Sequence, residues 1–119
     1  MKSATLLNAI AATDATFRRE GRDWIGKCLI CNGPLRFDAE TGTGATVEHI
    51  VPRTHGGGNG LRNLGVAHRR CNGEKGIHWD GGRRGRMQPA RYEALIATLL
   101  ARRAERWREG EGFNFAMED

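Results

Sequence analysis

At 119 residues the chain has room for one compact domain, and 17 glycines with only 39% hydrophobic and 7% aromatic residues leave that domain a thin core, of the kind that often needs a disulfide or a metal. No apolar run approaches the roughly 20 residues of a membrane span, and the opening MKSATLLNAIAATDATF is too polar for a convincing signal peptide, so a soluble cytoplasmic protein with no membrane partner is expected. A net charge of +5 modestly favours a polyanionic partner, and three cysteines cannot all pair within one chain, which in a reducing compartment points to metal binding.

In chain order, Leu6, Leu7, Ile10 and Phe17 recur at helical spacing and predict a helix over residues 4–20, ended by Gly21. Residues 25–36 read IGKCLICNGPLR, a tight turn presenting two thiols, and residues 37–44 are a polar, glycine-containing loop. The β-branched Thr46, Val47, Ile50 and Val51 predict a strand over residues 45–51, stopped by Pro52. After the flexible run HGGGNG, residues 61–67 offer a second short strand, so the two form a hairpin with a broad glycine-rich loop. A short helix over residues 69–78 follows, weakened by Gly73 and Gly76. Residues 81–86, GGRRGR, read as a basic linker. Pro89 then opens a helix running to about residue 108, with Tyr92, Leu95, Ile96, Leu99, Leu100, Arg103 and Trp107 along one face, and the acidic tail 109–119 is expected to fray.

Two ligand pairs stand out. Cys28-x-x-Cys31 and His68-x-x-Cys71 use every cysteine and give a tetrahedral ion two ligands from each of two turns, with the loop between them free to vary. His68 is the least determined of the four, since His55 and His78 lie nearby in sequence, but neither has the two-residue spacing to a cysteine. The ordinary alternative makes the cysteines small buried apolar groups, and the thin core argues against it.

Between these pairs lies V-E-H-I-V-P-R, and N-L-G-V-A-H-R-R-C-N-G-E-K-G runs through and past the second pair. An acidic residue and histidine at a strand end (Glu48-His49), an Asn-Leu pair opening the next strand (Asn63-Leu64), and Cys71-Asn72-Gly73-Glu74-Lys75-Gly76 follow in an order and spacing that resemble the HNH endonuclease family over residues 28–76. Singly, each residue has an ordinary role as a surface histidine, a turn or capping asparagine, or a solvated carboxylate. The shared spacing is what argues for chemistry.

The resemblance implies an α+β fold: a single HNH domain whose ββα-metal (His-Me finger) core is braced by a structural zinc at Cys28, Cys31, His68 and Cys71. The helices at about 4–20 and 88–108 flank that core and lie outside the motif. The implied activity is hydrolysis of DNA phosphodiester bonds, in the cytoplasm of a bacterial or phage-infected cell. His49 would activate water, because a neutral imidazole can take a proton at working pH. Glu48 and Asn72 would hold a divalent cation, magnesium first and manganese or another ion next, and Asn63 would fix the orientation of His49 across the glycine-rich loop. Aspartate is the commoner residue at the position of Glu48, which makes Glu48 the least secure of these assignments. Arg53, Arg69, Arg70, Lys75, Arg83, Arg84 and Arg86 suit phosphate contact. The apolar stripe of the last helix reads first as core, and it is the first place to seek a homodimer contact. Alternatives of other kinds are a catalytically silent, zinc-stabilised DNA-binding module and a ribonuclease or toxin-like nuclease.

Overall fold

The computed structural model of the chain describes residues 3–77 and 89–110. Helix α1 spans Ser3–Ala12, strands β1, β2 and β3 span Arg18–Glu20, Asp23–Lys27 and Pro34–Asp38, and strands β4 and β5 span Thr46–His49 and Leu64–Ala67. Helix α2 covers Arg69–Lys75 and helix α3 covers Pro89–Glu105. The strands make two antiparallel sheets, β1-β2-β3 and β4-β5, so the fold is α+β.

The helix expected over residues 4–20 is shorter than its apolar stripe suggested. Thr13 Oγ1 turns back onto the carbonyls of Ala9 and Ile10 at 3.1 and 2.9 Å, and Asp14 Oδ1 accepts from the backbone N–H and the hydroxyl of Thr16, both at 2.8 Å. Such local bonds compete with helix propagation. Phe17 is buried all the same: it meets Phe37 edge-on with ring centroids 6.0 Å apart and lies across Gly26, where a Cβ would come within 2.5 Å of the ring. Gly21, at φ +61°, makes the turn from β1 into β2 instead of ending a helix.

The thiol-bearing turn at residues 25–36 is present as the tip of a hairpin whose arms are β2 and β3, with Lys27 opposite Pro34 and Trp24 opposite Phe37. The second hairpin is the expected one, trimmed at its ends. Thr46 faces Ala67, Val47 faces Val66, Glu48 faces Gly65 and His49 faces Leu64, while residues 61–63 form a 3-10 turn ahead of β5. All of β5 is buried, because α1 packs on this hairpin. One apolar cluster joins Leu7 and Ile10 of α1, Trp24, Leu35 and Phe37 of the first sheet, Leu64 and Val66 of β5, and the ligand candidates Cys28 and Cys71.

Helix α3 begins at Pro89, as the sequence indicates, and closes a second cluster in which Leu99, with Leu95 and Ile96 beside it, covers Leu29 and Ile50. The stripe proposed as a homodimer contact is used in part by the chain's own core, with Leu99 buried and Tyr92, Leu95 and Ile96 half-buried. Of its larger apolar residues only Leu100 is left exposed. No helix among the described residues is long and apolar enough to cross a membrane. The basic segment 81–86, His78 and the tail from residue 111 lie outside the described residues.

Candidate active site and metal centre

Cys28 and Cys31 stand at the tip of the β2-β3 hairpin, His68 at the end of β5 and Cys71 in the first turn of α2, and their ligand atoms all lie within 4.8 Å of one another. The turn carrying the first pair closes through Asn32 N–H to Cys28 O and Cys28 N–H to Gly33 O, both at 2.9 Å, with Asn32 at φ 63°. Bonds of about 2.3 Å to sulfur and about 2.0 Å to nitrogen put neighbouring donors of a tetrahedral zinc about 3.5–3.8 Å apart. His68 Nδ1 is 3.5 Å from Cys31 Sγ and 3.7 Å from Cys71 Sγ, so the set fits. His68 Nε2 lies 3.0 Å from the Pro34 carbonyl, which can only accept; Nε2 therefore carries the proton and Nδ1 is left to bind metal. His55 instead meets Tyr92 with the rings tilted, centroids 5.6 Å apart.

Backbone N–H groups point at two of the sulfurs, Gly33 at Cys31 (3.3 Å) and His68 at Cys28 (3.4 Å). The Gly33 N–H brings the Cys31 thiol down to about 7, whereas burial, followed by the charge of Cys28, pushes Cys71 up to about 12. Three packed thiols resist sharing negative charge unless a cation sits among them, and a divalent ion lets all three ionise. The Cys3His cluster has the chemistry and spacing of a structural zinc centre.

The second group lies on the seam between β4 and α2. His49, half-buried at the end of β4, places Nε2 at 3.0 Å from Asn59 Oδ1. Asn63 reproduces a piece of strand pairing with its side chain: Oδ1 accepts from Val51 N–H at 2.9 Å, while Nδ2 donates to the carbonyls of Val51 (3.1 Å) and Gly58 (2.9 Å). It spans the glycine-rich loop, and its side-chain hydrogen bonds go to Val51 and Gly58, not to His49. From α2, Asn72 Nδ2 donates to Val47 O at 3.0 Å, leaving its amide oxygen outside that bond.

Two of the expected residues are buried here. Lys75, expected as a phosphate contact, is 2% exposed; its ammonium pairs with Glu48 Oε2 at 2.8 Å and donates to Ile50 O at 3.0 Å, with His49 O at 3.4 Å. Glu48, expected as a cation ligand, is equally buried, with the Lys75 ammonium beside its carboxylate. The carboxylate sits at the seam, but the site is not an open pair of oxygen ligands. The reason is local: Asn72 and Lys75 are three apart on α2, share the face packed on β4, and meet Val47 and Glu48 together.

Arg53, Arg69 and Arg70 are exposed, while Arg83, Arg84 and Arg86 fall outside the described residues. Sequence reasoning missed Asn59, whose only signal was being a polar side chain flanked by glycines in the loop after His49. It also missed Arg102 and Arg106, which bind the carbonyls of the Cys28–Cys31 turn and of Lys27. Helical spacing from Leu99 marked Arg103 as inward-facing, and it is fully buried.

A two-stranded hairpin closed by a short helix, a histidine at the strand end and a Cys3His cluster beside it define the ββα-metal class of fold. The family model for HNH endonuclease matches residues 28–77, the segment that holds both ligand pairs, His49, Asn63 and Asn72. That family supports a nuclease-type, metal-dependent function in general terms. No curated protein and no solved structure matches the chain.

Proposed function

We propose that the chain is a metal-dependent endonuclease that hydrolyses DNA phosphodiester bonds, with a zinc ion in the Cys3His cluster as its structural brace. The observation that carries the reading is His49: a half-buried imidazole at a strand end, anchored through one nitrogen, on the strand whose Val47 and Glu48 meet Asn72 and Lys75 of α2, in a segment that matches a nuclease family. In the proposed reaction a water oxygen attacks phosphorus as its proton passes to His49. The P–O3′ bond breaks, the 3′ oxygen takes a proton from solvent, and the 5′ phosphate remains on the other fragment. A general base of this kind contributes about 10²–10⁴-fold. A divalent cation, when bound, stabilises the charge building on the phosphate and leaving oxygens. The donors this chain has for it are the Asn72 amide oxygen and the Glu48 carboxylate, the latter shared with Lys75. Exposed Arg53, Arg69 and Arg70 suit phosphate contact, which positions the duplex without reading its sequence. One such site cuts one strand, so a double-strand break needs two copies or two successive nicks.

The burial of Glu48 against Lys75 favours one second reading, a DNA-binding module of the same fold without catalysis. Supercoiled plasmid incubated with the protein and magnesium or manganese separates the two. The nuclease reading expects metal-dependent nicking that falls at least about 10²-fold in His49→Ala. Wild-type protein that shifts DNA on a gel yet leaves the plasmid intact across several divalent metals would establish the module instead.

A further inference from the structure

We infer that Asn59 is the positioning residue for His49: its amide oxygen holds the proton on Nε2 and leaves the lone pair on Nδ1, making Nδ1 the atom that receives the proton from water. This inference rests on the reading of His49 as the base, and it concerns a residue that the strand, helix and metal signals did not mark.

Neutral imidazole has one N–H and one lone pair, so a partner at one nitrogen decides the chemistry of the other. Asn59 Oδ1 lies 3.0 Å from His49 Nε2, and an amide oxygen can only accept. Among the described residues no hydrogen bond to His49 Nδ1 is present, so that nitrogen is left for solvent or substrate. The loop is built to put the amide there. Gly57 lies so close to Val51 that a Cβ would fall 1.7 Å from the Val51 carbonyl oxygen, and its N–H bonds Pro52 O at 2.9 Å. Gly58 is then held by Asn63 Nδ2, and Gly60 O by Asn63 N–H, each at 2.9 Å. Asn59 sits between two backbone positions pinned by one residue, which lowers the entropy cost of holding its side chain against His49. Asn63 thus acts at one remove: it fixes the loop, and the loop fixes Asn59.

The contact also favours the reaction's direction. When Nδ1 takes a proton the ring becomes cationic, and the Nε2–H···O bond becomes charge-assisted and stronger. Because the gain arises with the transferred proton, loss of Asn59 should lower kcat with little change in KM.

The test uses the zinc-loaded full chain. Long-range ¹⁵N–¹H NMR, above the titration range of imidazole, reads which nitrogen of His49 bears the proton in wild type, Asn59→Ala and Asn59→Asp. The expected result is Nε2–H in wild type, a tautomer mixture in the alanine variant, and Nε2–H again in the aspartate variant, whose carboxylate also accepts. Nicking should fall about 10–100-fold in Asn59→Ala and recover in part in Asn59→Asp. Zinc content and melting temperature near wild type would exclude a merely structural effect. A wild-type His49 with its proton on Nδ1, or an alanine variant that keeps pure Nε2–H and full nicking, overturns the inference. Should wild-type protein fail to nick at all, the nuclease reading fails while the NMR result still decides whether Asn59 sets the tautomer.

Discussion

Lys75 carries a full charge into the interior and meets it there with Glu48 at 2.8 Å, side chains 2% and 3% exposed. A pair this deep adds little to stability compared with an apolar pair of the same shape, but removing one partner strands the other charge away from water, at about 3–5 kcal/mol. Lys75→Met and Glu48→Gln should each lose stability on that scale in urea denaturation, and the double variant should recover a large part of the loss. Simple additivity of the two losses would show that the pair is not the source. Lys75 also binds the carbonyl of Ile50, so its loss loosens the strand end that presents His49. In the sequence Lys75 belonged to the motif but read as a phosphate contact, because nothing local reveals a partner on another element. His49, Asn63 and Asn72 were legible since their spacing is fixed by a hairpin and one helical turn. Asn59 was not, because its role depends on how five loop residues fold back.

Helix α3 shows the same limit for a whole element. Its start at Pro89 and its apolar face could be read from period and capping, whereas the work of its arginines could not. Arg102 donates to the carbonyls of Leu29 (2.6 Å) and Ile30 (3.0 Å), inside the turn that bears Cys28 and Cys31. Arg106 binds Lys27 O at 3.1 Å and the Asn32 side chain, on either side of the same turn. Arg103 binds the carbonyls of Leu64 and Thr13 at 2.7 and 2.9 Å, and although burial lowers it to about 10 it stays charged at neutral pH. The helix thus holds the metal-binding turn by its backbone. Hydrogen bonds to a charged group are worth about 1.5–3 kcal/mol each, and 1.4 kcal/mol is tenfold in an equilibrium. Arg102→Ala with Arg106→Ala should therefore speed zinc transfer to a chromogenic chelator by about tenfold or more, while exposed Arg91→Ala on the same helix should leave it unchanged. Equal release rates would detach α3 from the metal centre. The first sheet escaped sequence reading for a converse reason: β1 is Arg-Arg-Glu, exposed throughout, and carries no apolar alternation to betray a strand.

Across the molecule, the net charge of +5 overstates what is free to meet a polyanion, since Arg102, Arg103, Arg106 and Arg108 all donate to the chain's own carbonyls. Composition forecast a thin core, and the ligand cluster is where a metal would add to it. Cys28 and Cys71 belong to the main apolar cluster while Cys31 is exposed, so the proposed zinc joins the β2-β3 turn to β5 and α2 at the edge of the core. A structural zinc contributes about 10–16 kcal/mol of apparent binding free energy, against about 5–15 kcal/mol for the whole stability of a typical domain. The comparison decides the outcome: without the ion the folded state should not persist. Dialysis against a strong chelator at neutral pH should abolish the cooperative thermal transition and the far-ultraviolet circular dichroism of the native state. Zinc should restore both, and magnesium, which prefers hard oxygen ligands, should restore neither. Cys28→Ser should reproduce the metal-free state, since serine does not ionise to a ligand at this pH. His49→Ala should keep its zinc and its melting transition, because His49 lies outside the cluster. Lowering the pH should weaken the fold by the same route, as protons compete with zinc for the thiolates. A chelated protein that melts where the zinc-loaded one does would remove the metal from the account of stability and leave the core itself to explain it.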